Sequence, residues 1–162
     1  MLNGTLSFQT LVFILALALP AWADPPAALA GRIQSFRDWR LDCRADPCAL
    51  HTAVRGADGS EVLRLAVGPG TALAVTTPLP LFLPDGLSLA VGGEPARAVP
   101  WRTCGAGGCE ATLALDPALL AGLRRERGGT ATFTLVDGVT VRLPFSLLGF
   151  SAAMVAERTP GG

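Results

Sequence analysis

Four cysteines are the residues of this chain best placed to do chemistry. They come as two units of identical spacing, Cys43–Cys48 in "CRADPC" and Cys104–Cys109 in "CGAGGC". Thiolates in pairs can ligate a metal, exchange with disulfides or join as staples. A four-thiolate zinc site ordinarily uses tighter C-x2-C knuckles. A thioredoxin-type redox pair needs C-x-x-C. Neither unit has that spacing. The lone His51, in "CALHTAV", reads as a surface strand residue rather than a fifth ligand. Structural disulfides remain, provided the chain reaches an oxidising compartment.

Residues 1–23 supply that compartment. "LVFILALALP" is an unbroken apolar run, followed by Ala21-Trp22-Ala23 and then Asp24. An apolar core with a small-x-small site reads as a secretory signal peptide cleaved after Ala23. No Lys or Arg precedes the core, so only the amino terminus supplies positive charge there. The run is shorter than the roughly 20 apolar residues of a spanning helix, which disfavours an uncleaved anchor. Asp24 in place of Cys excludes a lipoprotein-type site. After export, disulfides persist. Four cysteines allow three pairings. Local pairing, Cys43–Cys48 and Cys104–Cys109, is favoured by the Asp46-Pro47 turn and by Gly105, Gly107 and Gly108. Each small loop so closed is worth about 2 kcal/mol.

The remaining chemistry is sparse. With one histidine, a Ser-His-Asp triad has only His51 to use, and G-x-S-x-G, zincin and EF-hand patterns are absent. No catalytic residue, metal site or cofactor is assigned. Thirteen Arg balance thirteen Asp plus Glu, with no Lys and no Tyr. Such a chain carries no global field toward nucleic acid or anionic membrane, and its few aromatics offer no base-stacking platform.

Short alternating runs must position what is left. In "DWRLDC", Trp39, Leu41 and Cys43 share one face; in "CALHTAVR", Leu50, Thr52 and Val54 do. Asp58-Gly59 turns the chain into "EVLRLAV", which Gly68-Pro69-Gly70 ends. Strands follow at Leu73–Thr76 and Leu87–Val91, the second after a Pro84-Asp85-Gly86 turn. "ARAVPWRT" returns after Gly92-Gly93, and "EATLALD" places Ala111, Leu113 and Leu115 together. "ATFTLVDGVTVRLPF" is a hairpin about Asp137-Gly138. Two helices are predicted. One is capped by Asp116 with Pro117 first, carries Leu119, Leu120 and Leu123 inward and Arg124, Arg125 and Arg127 in its last turn, and stops at Gly128-Gly129. The other spans 146–158, capped by Ser146, with Leu147, Phe150, Met154 and Val155 inward. Roughly eight short strands and two short helices predict a mainly-β antiparallel sandwich or sandwich-like barrel. Residues 24–34 read as a flexible lead-in, 35–158 as a single β-rich domain and 159–162 as a loose C-terminus.

One apolar run is broken by Pro78, Pro80 and Pro84, which exclude it from a helix or central strand. Its Leu79, Leu81, Phe82 and Leu83 either enter the core or cover a sheet edge, or they form a partner surface. Truncating Leu81 and Phe82 separates the cases.

Trp39-x3-Cys43, Cys48, the "LPDG" turn, the Cys104–Cys109 unit, "LLAGL" and the closing "SLLGF" together resemble the invasion-associated locus B family, over nearly the whole chain after residue 23. The resemblance implies an exported β-rich protein of the periplasm or outer envelope of a Gram-negative bacterium, and it carries no catalytic residues. The expected function is non-enzymatic binding of an unidentified protein or envelope component, with no membrane span after cleavage. The alternative is a periplasmic thiol-disulfide accessory protein or enzyme using one C-x4-C pair.

Overall fold

Alternation of apolar and polar side chains becomes two antiparallel sheets. The computed structural model describes residues 31–45, 47–68, 72–78 and 80–158. The stretch read as a signal peptide, most of that read as a lead-in, Asp46, residues 69–71, Leu79 and residues 159–162 lie outside the described residues. The first sheet contains β1 (Ile33–Phe36), β2 (Trp39–Asp42), β3 (Ala49–Arg55), β4 (Glu61–Val67), β5 (Ala72–Thr77), β8 (Trp101–Gly105) and β9 (Gly108–Ala114), in the order β1-β2-β3-β4-β5-β9-β8. The second contains β6 (Leu87–Val91), β7 (Arg97–Val99), β10 (Gly128–Thr134) and β11 (Thr140–Ser146), in the order β11-β10-β6-β7. The arrangement is sandwich-like and not a closed barrel. Helix α1 (Pro117–Arg125) joins β9 to β10, and α2 (Phe150–Arg158) follows β11.

The strands exceed the roughly eight expected from turn spacing at two places. β1 begins at Ile33, inside the stretch read as a lead-in, and pairs with β2 through the two-residue turn Arg37-Asp38. "ARAVPWRT" is two strands rather than one. β7 pairs with β6 in the small sheet, whereas β8 pairs with β9 in the large one. Pro100 stands between them. It has no N–H to donate to either ladder, which suits it to a corner where the chain changes sheets.

The two inner faces supply one core. Trp39, Leu41, Leu50, Leu63, Leu65 and Val75 come from the large sheet, and Leu87, Leu89, Ala131, Phe133 and Phe145 from the small one. Leu119 and Leu123 of α1 and Phe150, Ala153 and Met154 of α2 close it. Each large apolar side chain so buried contributes about 1.5–3 kcal/mol. Trp39 is fully buried and meets Phe150 edge to face, with centroids 4.8 Å apart. Its indole N–H donates to the Ser146 carbonyl at 3.1 Å, which ties β2, β11 and α2 together.

The helix boundaries differ from the sequence reading in instructive ways. Asp116 caps α1 as expected, accepting from the Leu119 N–H at 2.8 Å. Gly128-Gly129 do not end that helix, however; Glu126 is its C-cap, and the glycines open β10. A Cβ at Gly129 would lie 2.5 Å from the Ala90 carbonyl oxygen, so close strand approach explains that glycine. Arg127 falls beyond the helix, while Arg124 and Arg125 occupy its last turn. Ser146 does not cap α2 but ends β11, and its hydroxyl accepts from the Leu148 N–H at 3.1 Å before the helix starts at Phe150. Val155 is exposed, and Ala153 takes the inward position instead.

Candidate functional site

Both cysteine units lie at hairpin ends of the large sheet. Asp42 and Ala49 are paired across the β2–β3 connection, and the Cys43 and Cys48 sulfurs inside it lie 2.10 Å apart, disulfide-bond distance. Cys104 and Cys109 are directly opposite each other in β8 and β9, with sulfurs 2.09 Å apart. Of the three glycines in the second unit, only Gly108 is sterically required. It adopts φ +111°, and a Cβ there would lie 2.2 Å from the Thr77 carbonyl oxygen; Gly105 and Gly107 have open space around them. Among the described residues no group of three or more His, Cys, Asp or Glu gathers as a metal site would require.

The proline-broken run divides between interior and surface. Leu81 is 5% exposed and bridges Leu135, just past β10. Phe82, whose N–H donates to the Thr134 carbonyl at 2.9 Å, is 44% exposed, and Leu83 is 46% exposed. The β10–β11 turn beside them carries Val136, 61% exposed, and Val139, 52% exposed. Four of the seven large apolar side chains exposed among the described residues therefore gather at one rim. Such clusters on a soluble domain mark contact sites. Leu81 belongs to the core; Phe82 and Leu83 belong to the rim.

A second surface escaped the sequence reading. A groove of about 430 Å³ is lined by Arg40 of β2, residues 51–55 of β3, Glu61 and Arg64 of β4 and Pro144–Ser146 of β11, and so takes in side chains from both faces of β3. Register builds it. Arg40 is opposite His51, and Ala53 is opposite Arg64. Arg55 follows on β3, and Arg37 reaches the groove from the β1–β2 turn. A neighbouring hollow of about 430 Å³, floored by Ala49 and Ala66, shares His51 and Arg64 with it. Pro144 sits in β11 because that strand is an edge, where a missing N–H costs no ladder bond.

The groove's charges are unevenly matched. Glu61 accepts two hydrogen bonds from Arg64, at 2.6 and 2.8 Å. The Asp38 carboxylate accepts from the Ser146 hydroxyl at 2.5 Å. Among the described residues Arg55 donates only to the neutral Gly59 carbonyl, at 2.9 Å. Burial pushes the His51 imidazole below its usual pKa, and the nearby Arg64 charge adds to that. In the neighbouring hollow Arg44 binds Asp42 at 2.6 Å, and these hydrogen bonds hold the carboxyl at about 2. Period-2 logic places Arg40, Arg55 and Arg64 outward on their own strands. Nothing local in the sequence aligns them across strands, so only the register could have revealed the groove.

Comparison with known proteins fits this architecture. The family model described as "Invasion associated locus B (IalB) protein" matches residues 39–158. The crystal structure of invasion associated protein b from Bartonella henselae superposes with a TM-score of 0.70 at 20% identity, over 78% of this chain and 95% of that one. Comparison with curated proteins gives no significant match. No helix among the described residues is long and apolar enough to cross a membrane. The family match runs from Trp39, the anchor of the core, to Arg158, the last residue of α2, and so takes in both cysteine units, both helices and every strand but β1: the chain belongs to the invasion-associated locus B family.

Proposed function

We propose that this protein is exported to the periplasm or outer envelope of a Gram-negative bacterium, where it binds a protein or envelope component and catalyses no reaction. Family membership supports an invasion-associated bacterial protein. The apolar run and small-x-small site at residues 11–23 support export. Both cysteine pairs suit an oxidising compartment, where they act as staples.

The observation that carries the binding reading is the rim of Phe82, Leu83, Val136 and Val139. These side chains lie on turns held by backbone hydrogen bonds: Gly86 N–H to Leu83 O at 3.1 Å, and Leu135 N–H to Val139 O at 2.9 Å. The rim is thus presented by rigid backbone, which limits the ordering cost of association.

A photo-crosslinking amino acid at position 82, expressed in cells, tests this. The expected result is a discrete adduct that disappears when Leu83 and Val136 are changed to Ser, while export and folding persist. An adduct pattern indifferent to those changes, or no adduct at all, would sink the reading.

A further inference from the structure

We propose that the arginine-lined groove on β2, β3 and β4 is a binding site for a phosphate group. This goes beyond the binding reading above and concerns a different surface. The rim lies by Val139, just before β11, and the groove by Phe145, near the end of that strand. Six strand residues separate them, about 20 Å.

Three observations converge. The first is charge. The groove holds four guanidiniums, those of Arg37, Arg40, Arg55 and Arg64, against the carboxylates of Asp38 and Glu61. Two positive charges are left in excess, which matches the −1.5 to about −2 of a phosphate monoester at neutral pH. Among the described residues the Arg37 and Arg40 guanidiniums have no hydrogen-bond acceptor, while those of Arg55 and Arg64 do. Arginine's planar fork suits phosphate oxygens bidentately.

The second is spacing. Arg40 and Arg64 stand two strands apart and are offset by two residues. Their Cα atoms are therefore about 12 Å apart on ideal sheet dimensions. Two extended side chains can converge over that gap, and Ala53 between them leaves the floor open.

The third is backbone conformation. Arg37 is the only non-glycine residue with positive φ among the described residues, at 56°. Left-handed backbone disfavours any side chain with a Cβ, and glycine or asparagine would serve the turn better. A disfavoured residue at a groove mouth points to a role for its side chain.

His51 reports on the site. It is the sole histidine, so its imidazole signal in an NMR titration is unambiguous. A phosphate dianion in the groove must raise its pKa by opposing the arginine charges. Titration of the full mature protein with inorganic phosphate, at ionic strength matched with sodium chloride, is the experiment. A saturable shift of the His51 signal is expected, weakened at least tenfold by Arg40→Gln and by Arg37→Gly. Both side chains are exposed, so these variants fold, and an unchanged far-ultraviolet spectrum confirms it. Competition by vesicles of phosphatidic acid in phosphatidylcholine, but not by phosphatidylcholine alone, assigns the group to a lipid; no competition assigns it to a soluble phosphate. The proposal is overturned if chloride gives the same shift, if no saturation is reached, or if both variants bind as the parent does.

Discussion

Gly149 and Phe36 approach so closely that a methyl group on the Gly149 Cα would lie 1.7 Å from the Phe36 carbonyl oxygen. The glycine also has φ +97°. It lets the chain leave β11, pass beneath the β1–β2 turn and start α2 at Phe150, whose ring then meets Trp39. The Asp38 N–H donates to the Leu148 carbonyl at 3.2 Å and pins the same crossing. The "SLLGF" segment is therefore a joint between the large sheet and the last helix.

Gly149→Ala should destabilise the domain by about 3 kcal/mol or more, since backbone clash and left-handed strain act together. Chemical denaturation measures this. A loss under 1 kcal/mol would show that the joint yields freely.

Arg37→Gly should act oppositely on stability and on binding. Relief of left-handed strain is worth about 1–2 kcal/mol, and the flexibility of glycine in the unfolded chain offsets roughly 0.5–1 kcal/mol. The variant is expected to be more stable by up to about 1 kcal/mol while phosphate affinity falls. A variant less stable than the parent would assign Arg37 a structural role instead.

Trp39→Phe keeps a ring against Phe150 but removes the indole donor to Ser146. The orphaned carbonyl and the smaller ring should cost about 2 kcal/mol, against about 3–5 for Trp39→Ala. Equal losses in the two variants would mean that the hydrogen bond contributes nothing beyond packing.

Changing Cys104 and Cys109 together to Ala should lower stability by about 2 kcal/mol, the value of closing so short a loop, and leave crosslinking at position 82 unchanged. Cys104 is exposed beside a fully buried Cys109. The thiol-exchange alternative therefore has an attackable sulfur, and it predicts readily reduced cysteines in a free-thiol assay. The staple reading predicts resistance to mild reductant.

Groups whose pKa values are lowered in the fold make the protein lose stability in acid. The His51 pKa is depressed in the fold, so the stability tied to its neutral form is complete above its ordinary value near 6.5 and is lost as pH falls through the folded value. Asp42, held at about 2 by Arg44, contributes above its usual 3.8, and that contribution is lost as pH falls toward 2. Thermal midpoints should decline in two steps between about pH 6.5 and 2. His51→Gln should remove the upper step, and Asp42→Asn should shrink the lower, which Asp58 and Asp116 share because hydrogen bonds from Ser60 and Arg97 lower their pKa values too. A single step insensitive to both variants contradicts the assignment.

What could be read from residue order was what local physics controls. Side-chain period placed Trp39, Leu41, Leu50 and Leu113 inward, and turn chemistry found the β3–β4 and β10–β11 hairpins. Asp116 and Pro117 marked the start of α1. Each of these signals spans only a few residues, so no distant segment is needed to read it. The tertiary structure decided whatever depends on which distant segments meet. Pro100 became a crossing between sheets, Gly129 a site of close strand approach, and Ser146 the end of a strand, because partners far along the chain determine those environments. The groove is of the same kind. Arg37, Arg40, Arg55 and Arg64 are ordinary surface charges one by one; antiparallel register lines up Arg40, Arg55 and Arg64, and the β1–β2 turn brings Arg37 to the same groove.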